Sequence, residues 1–425
     1  MARSGDWITP RLWGLPWFEK PALLYWMTGV GSLLGLGPEN APRLPVALVA
    51  VLLCLFLFRY LKPRLGCGIA LHSSILLAGT MGWLAFGSVG VTDVPLTGCL
   101  TVSVLLVVFG GPAWVAGAFL GLAVMAKGLV ALVLWAPALW WWYRSKRLWS
   151  DLFWIGGLCL VVAGPWYGAM TWRFGRAFID EFIIKHHFAR AVSDSIQHVR
   201  PMWFYVPALA GAMMPWTFLL PFAFWRSGVR ERDSRLRFLA AWALFGFVFL
   251  SLVRNKLPGY ILPLVPVLCI LVAALLEDFE WAPLILAVTG GLLLALGLTL
   301  VPSVPQLVKD GWTRTSLGNL YGPHVLLAIA VGVGIWWIAR SKRTTLALCA
   351  VAAIGFAGLA GIKYGPVARE VDRLATARPL SRTAAKDGCV HPADRDLRYG
   401  LSYYWKFEVP ECNDETLDQR IRKAD

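Results

Sequence analysis

Apolar runs follow one another from about residue 43 to about residue 363, most of them near the roughly 20 residues that cross a bilayer core. This pattern predicts an all-α polytopic membrane protein with about twelve transmembrane helices. Their approximate cores fall at 43–59, 66–89, 95–110, 112–126, 128–143, 150–168, 203–225, 238–253, 260–276, 282–301, 323–339 and 344–362. Three parts follow: residues 1–42 as a loop with an interfacial helix, 43–363 as the membrane domain with a long loop at about 169–202, and 364–425 as a small polar domain.

The short connectors alternate in charge. One set is basic: Arg59 to Arg64, Arg144 to Arg147, Arg226 to Arg237, and Arg340 to Arg343. The other holds Glu19-Lys20, Thr92-Asp93, Lys127, His186-His187 and Arg254-Asn255-Lys256. The positive-inside rule puts the first set in the cytoplasm, so every candidate for chemistry opens on the opposite surface. An even number of spans then places both termini outside, and nothing in Met1 to Asp6 has the apolar core needed to carry residues 1–42 across. The expectation is a chain that starts late, short of one membrane helix.

Hydrophobic residues make up 58% of the 425 positions, with 23 Trp and 22 Phe, which excludes an ordinary soluble domain. The net charge of +15 sits mostly in the short loops, where topology signals and anionic head groups explain it; no basic helix or aromatic-basic sheet pattern points to nucleic acid. The eight Cys show no metal-type spacing. Six lie in or beside spans as small packing residues, while Cys389 and Cys412 share the polar tail, where a disulfide would close a loop of about 24 residues.

Glu19 and Lys20 precede an amphipathic stretch, Pro21 to Leu36, that reads as a helix in the interface with Tyr25 and Trp26 at head-group depth. Lys20 suits a lipid phosphate and Glu19 a divalent cation, Mg, Mn or Zn; both also fit two snorkelling charges. Asp93 stands at a span boundary as a candidate catalytic carboxylate, or as a cap of the next helix. Lys127 interrupts an apolar run on the same surface, as a substrate contact or a turn lysine. Lys256, with Arg254 and Tyr260, suits a leaving phosphate, and Tyr260 adds a hydroxyl and a sugar-stacking face. The 169–202 loop carries Arg173, Arg176, Lys185, His186, His187, Arg190, His198 and Arg200, against the positive-inside bias, so an anionic lipid or pyrophosphate-like substrate is expected there. Arg190 is a candidate substrate contact, and His187 a metal or substrate contact alongside Glu19. Lys20, Lys256 and at least one arginine of this loop are expected to converge in one outer cavity.

Several short motifs occur in one order: Gly5-Asp6-Trp7-Ile8-Thr9-Pro10-Arg11-Leu12, Phe18-Glu19-Lys20-Pro21, Arg43-Leu44-Pro45, Thr92-Asp93-Val94-Pro95-Leu96, Ala126-Lys127-Gly128, His187-Phe188-Ala189-Arg190, Pro215-Trp216 and Lys256-Leu257-Pro258-Gly259-Tyr260. In these the chain resembles the bacterial membrane glycosyltransferases related to protein O-mannosyltransferases, whose members include lipid A aminoarabinose transferases. The resemblance implies an all-helical inner-membrane enzyme, with thirteen helices in the full family. Such an enzyme takes a sugar from a polyprenyl-phosphate donor to a lipid, protein or glycan acceptor on the periplasmic side. It also implies one helix and an acidic loop residue ahead of Met1; without that residue, Asp93 is the candidate base. A lipid-linked sugar flippase, or an inactive relative that binds without transfer, are the competing readings. Transporters often carry inverted repeats, and none is visible here.

Overall fold

The computed structural model describes residues 1–2, 4–12, 14–145, 148–189, 200–229, 233–310, 322–365, 368, 377–384, 386–391, 395–405 and 407–412. It contains a first unit, residues 1–286 with 336–352, and a second, residues 287–335 with 353–425. The protein is a multi-span membrane protein built from helices. Seven helices are long and apolar enough to cross a bilayer, and up to nine if two bent helix pairs each count as one span, among the described residues.

This is fewer than the twelve spans expected, and the difference lies in short helices. Helix α5 (Asp93–Val108) has 16 residues and α6 (Ala113–Lys127) has 15. At about 1.5 Å per residue neither reaches the roughly 30 Å of a hydrocarbon core. The expected span at 128–143 is divided into α7 (Val130–Trp135) and α8 (Pro137–Arg144), broken where Pro137 begins the second helix. The pair α3 (Cys67–Gly79) and α4 (Met81–Gly87) bends by 60°, and Met202–Met213 with Trp216–Ser227 bends by 113°.

In the first unit, the described connectors of the basic set gather at one end. The Arg235 guanidinium lies 4.9 Å from the Phe109 ring and donates to the Arg64 carbonyl at 3.5 Å. Arg226 pairs with Asp278 at 3.1 Å, and Trp141 packs on Phe238. Long helices then carry the chain to the opposite end. Helix α9 (Trp149–Phe174) runs from the basic connector to Arg173, and helix Ser234–Leu252 runs from Arg235 towards Arg254.

Among the described residues the chain is helical apart from one small hairpin and one isolated bridge. Residues Arg11–Leu12 and Leu15–Pro16 pair antiparallel in the first loop. The stretch after Pro21 forms α1 (Leu23–Leu33). The expected long loop is partly folded: α9 continues to Phe174, and Ile179–Ala189 makes wide π-type turns. Phe178 and Phe182 stack at 5.2 Å and meet Trp166 and Tyr167 of α9 edge-on or tilted, so burial of large aromatic faces folds this segment back.

In the second unit, Ala377, Val390, Leu397, Leu401 and Val409 make a small core under helix Arg395–Trp405. Val390 and Glu411 form one bridge, and Cys389 and Cys412 form a disulfide with Cα atoms 5.0 Å apart. Arg398 donates to the Val409 carbonyl at 2.8 Å and pairs with Glu408 and Glu411. A core this small depends on such a staple. Cys412→Ser is expected to lower the stability of the tail by about 3 kcal/mol. Limited proteolysis of the tail reads this; equal cleavage of oxidised and reduced protein would contradict it.

Candidate active site

Helices α5 and α6 form an antiparallel hairpin. Its tight connection uses Gly110 at φ 75°, a left-handed backbone that side chains resist. Asp93 and Lys127 are equally far from Gly110 along the chain, so the hairpin brings the first residue of α5 level with the last of α6. The acid stands at a helix N-terminus and the base at a C-terminus, each where the helix dipole favours its charge. Their side chains meet: Lys127 Nζ lies 2.5 Å from Asp93 Oδ1, with 10% and 12% of the side chains exposed.

The Asp93 side chain does not cap its own helix. Thr92 occupies the cap position, and α5 has no side-chain cap hydrogen bond. The Asp93 carboxylate instead meets a lysine from the next helix. Lys127 has a second partner, because its ammonium also sits 3.8 Å over the Tyr260 ring. Tyr260 belongs to the 3₁₀ segment Pro258–Leu264, which Asp93's own helix packs against. Asp93, Lys127 and Tyr260 thus form one cluster drawn from three elements.

Gly259 packs against the carboxylate. A Cβ placed there would come within 2.8 Å of the Phe86 ring and 3.2 Å of Asp93 Cγ. Gly259→Ala is expected to displace the Phe86 ring and to shift the carboxylate slightly, and so to lower turnover by less than the roughly 10²-fold that a misplacement of about 1 Å costs. An unchanged kcat in a folded Gly259→Ala protein would show that the carboxylate's position does not matter.

Glu19 and Lys20 lie at the same end of the unit. Phe18 meets Phe174 and Phe178, Phe178 packs on Tyr167, and the Tyr167 hydroxyl donates to the Val124 carbonyl one turn before Lys127. Lys20 Nζ is 3.7 Å from Glu19 Oε1. Burial pushes the Tyr25 hydroxyl up to about 12, and the Glu19 charge beside it adds to the rise. Among the described residues no three His, Cys, Asp or Glu side chains converge as metal donors. The side chain of His187 and all of Arg190 lie outside the described residues.

Lys256 has a backbone partner from the segment after the long loop. It is 2% exposed, and its ammonium donates to the Arg200 carbonyl at 3.1 Å, while the Arg200 amide donates to the Arg254 carbonyl. Burial draws its pKa down. Lys256 here ties the segment after the long loop to the one before Tyr260.

Asp6, which sequence reasoning left without a role, anchors the loop that carries Glu19. Its carboxylate accepts from the Ile8 and Thr9 amides and from Arg173, and Arg11 approaches to 3.8 Å. Trp26 and Trp166 donate to the Trp7 and Ile8 carbonyls that follow Asp6. Burial alone would raise the carboxyl, but the Thr9 and Ile8 amides and Arg173 hold it down at about 2. A depressed carboxylate stabilises the fold fully above its unfolded value of 3.8 and stops doing so as pH falls towards about 2. The melting difference between wild type and Asp6→Asn is therefore expected to be constant from neutral pH to about 5 and to shrink below that. A difference that grows on acidification would contradict the clasp.

A family model described as dolichyl-phosphate-mannose-protein mannosyltransferase matches residues 19–167, the stretch that holds Glu19, Lys20, Asp93 and Lys127. An undecaprenyl phosphate-alpha-4-amino-4-deoxy-L-arabinose arabinosyl transferase of Pseudomonas paraeruginosa is 29% identical over 95% of this chain and 80% of its own length. One from Edwardsiella ictaluri is 31% identical over 79% of this chain and 64% of its own. The chain is related to the membrane glycosyltransferases that include protein O-mannosyltransferases and aminoarabinose transferases. The fold agrees: the crystal structure of ArnT from Cupriavidus metallidurans bound to undecaprenyl phosphate matches with a TM-score of 0.74 at 23% identity, over 97% of this chain and 79% of that one. Within this glycosyltransferase fold, the Asp93–Lys127 pair stands at the end away from the basic connectors.

Proposed function

We propose that this protein is a glycosyltransferase of the bacterial inner membrane that moves a sugar from a polyprenyl-phosphate donor to a lipid A-like, protein or glycan acceptor, with its site facing the periplasm. The arabinosyl transferase relatives favour an amino-sugar donor of the kind in their name. Gathering of the basic connectors at the opposite end supports the sidedness.

The Asp93–Lys127–Tyr260 cluster carries this reading. The acceptor hydroxyl attacks the anomeric carbon from the face opposite the phosphate, and Asp93 takes its proton. The bond between the anomeric carbon and the phosphate oxygen breaks, its electron pair leaves with the polyprenyl phosphate, and the configuration inverts. As Asp93 becomes neutral its hold on Lys127 weakens, and the ammonium can turn to the charge that develops on the leaving phosphate. Lys20 supplies a second cation at the same end. Glu19 and His187 are the proposed donors for a divalent cation, with no step assigned to it.

Mass spectrometry of the acceptor, after incubation of purified protein with polyprenyl-phosphate sugar, tests the reading. A gain of one sugar is expected, and an acceptor of unchanged mass would overturn it.

A further inference from the structure

The basic end of the first unit contains a cavity of about 350 Å³ that the transfer reaction does not use. Three arginines line it, but two are committed to carboxylates. Arg235 is held by both oxygens of Asp233, and Arg226 pairs with Asp278. Arg64 is different. Its guanidinium lies 3.7 Å from the Tyr60 ring centroid and donates once to the Tyr60 carbonyl, with no carboxylate partner among the described residues. Of its five N–H donors, the stacked posture leaves the rest for a ligand.

The opposite charge in the same wall is Glu277. The cation within 4 Å of its carboxylate, among the described residues, is the His72 ring at 3.7 Å, which is charged only when protonated. Leu65, Ile69 and Leu236 supply an apolar surface beside both groups. The cavity therefore offers one unmatched guanidinium, one carboxylate without a permanent cation, and a hydrocarbon wall. A simple anion satisfies only the first. A phosphodiester joined to a primary ammonium, with acyl chains behind it, satisfies all three.

We propose that this cavity binds the headgroup of a phosphatidylethanolamine-type lipid, with the phosphate on Arg64 and the ammonium on Glu277. The site rests on the membrane reading of the chain and not on its chemistry. Basic pockets between spanning helices hold lipid head groups through the same forces, and here the carboxylate selects the zwitterion over an anionic lipid.

Native mass spectrometry of the purified full chain tests it, with phosphatidylethanolamine and phosphatidylglycerol of identical acyl chains added in equal amounts. Wild type is expected to retain phosphatidylethanolamine in preference. Arg64→Ala should lower that retention about tenfold, the loss of a charge-assisted contact. Glu277→Gln should shift the ratio towards phosphatidylglycerol, whereas Glu280→Gln, an exposed neighbour, should leave it unchanged. The ratio is read within one protein, so Glu277→Gln still decides if Arg64→Ala fails to fold. Equal retention of both lipids by wild type, or equal shifts from Glu277→Gln and Glu280→Gln, would overturn the proposal. Free phosphoethanolamine at high concentration should displace the lipid; displacement as effective by inorganic phosphate would mark a plain anion site and overturn it too.

Discussion

Asp93→Asn is expected to lower sugar transfer by about 10²- to 10⁴-fold, the range that a positioned proton acceptor contributes. Asparagine keeps the shape of the side chain and an oxygen for Lys127, but its amide cannot take a proton from the acceptor hydroxyl. The loss should fall on kcat, with donor binding little changed, because the proton moves only in the transition state. Steady-state kinetics with varied donor separate the two. A variant that retains a tenth or more of wild-type kcat would remove Asp93 from the chemistry.

The second large effect concerns the pair itself. Lys127→Met leaves a carboxylate that is only 12% exposed without its cation, a situation that costs about 3 to 5 kcal/mol when a pair is fully buried. The cost here should approach the lower figure, since both groups lie at the end of their helices. Combining Lys127→Met with Asp93→Asn removes the stranded charge, so the double variant should recover about 1 to 3 kcal/mol relative to the sum of the single effects. Activity should not return with stability. Thermal melting of the four proteins in one detergent supplies the cycle, and strictly additive melting shifts would show that the contact carries no energy.

Much of this site was legible in short stretches of sequence, but its assembly was not. Asp93 and Lys127 stand out because charge at a span boundary is costly, yet they are 34 positions apart. Their opposite signs at equal distances from Gly110 were the available signal. Tyr260 was read as a sugar-facing ring, and the structure sets it beneath Lys127, a contact that depends on how an irregular 3₁₀ segment packs. Gly259 has no side chain to suggest a role, and its importance is the room it leaves for a carboxylate on another helix. Lys256 shows the converse: a lysine beside a tyrosine suits a phosphate, but backbone carbonyls also attract ammonium groups, and only the fold brings Arg200 within reach. The helix after Pro21 and the disulfide were readable because each depends on local pattern. The breaks within the apolar segments were not, because broken and short helices carry the same apolar composition as full spans.

The most direct test follows both products of one turnover. Purified protein is reconstituted in vesicles with a polyprenyl-phosphate donor labelled in the sugar, and labelled acceptor and released polyprenyl phosphate are counted together. One polyprenyl phosphate released for each sugar found on the acceptor, with both lost in Asp93→Asn, is the result expected of transfer at the Asp93–Lys127 pair. Labelled donor that crosses the bilayer with its sugar–phosphate bond intact, while the acceptor stays unlabelled, would contradict it and mark the protein as a flippase.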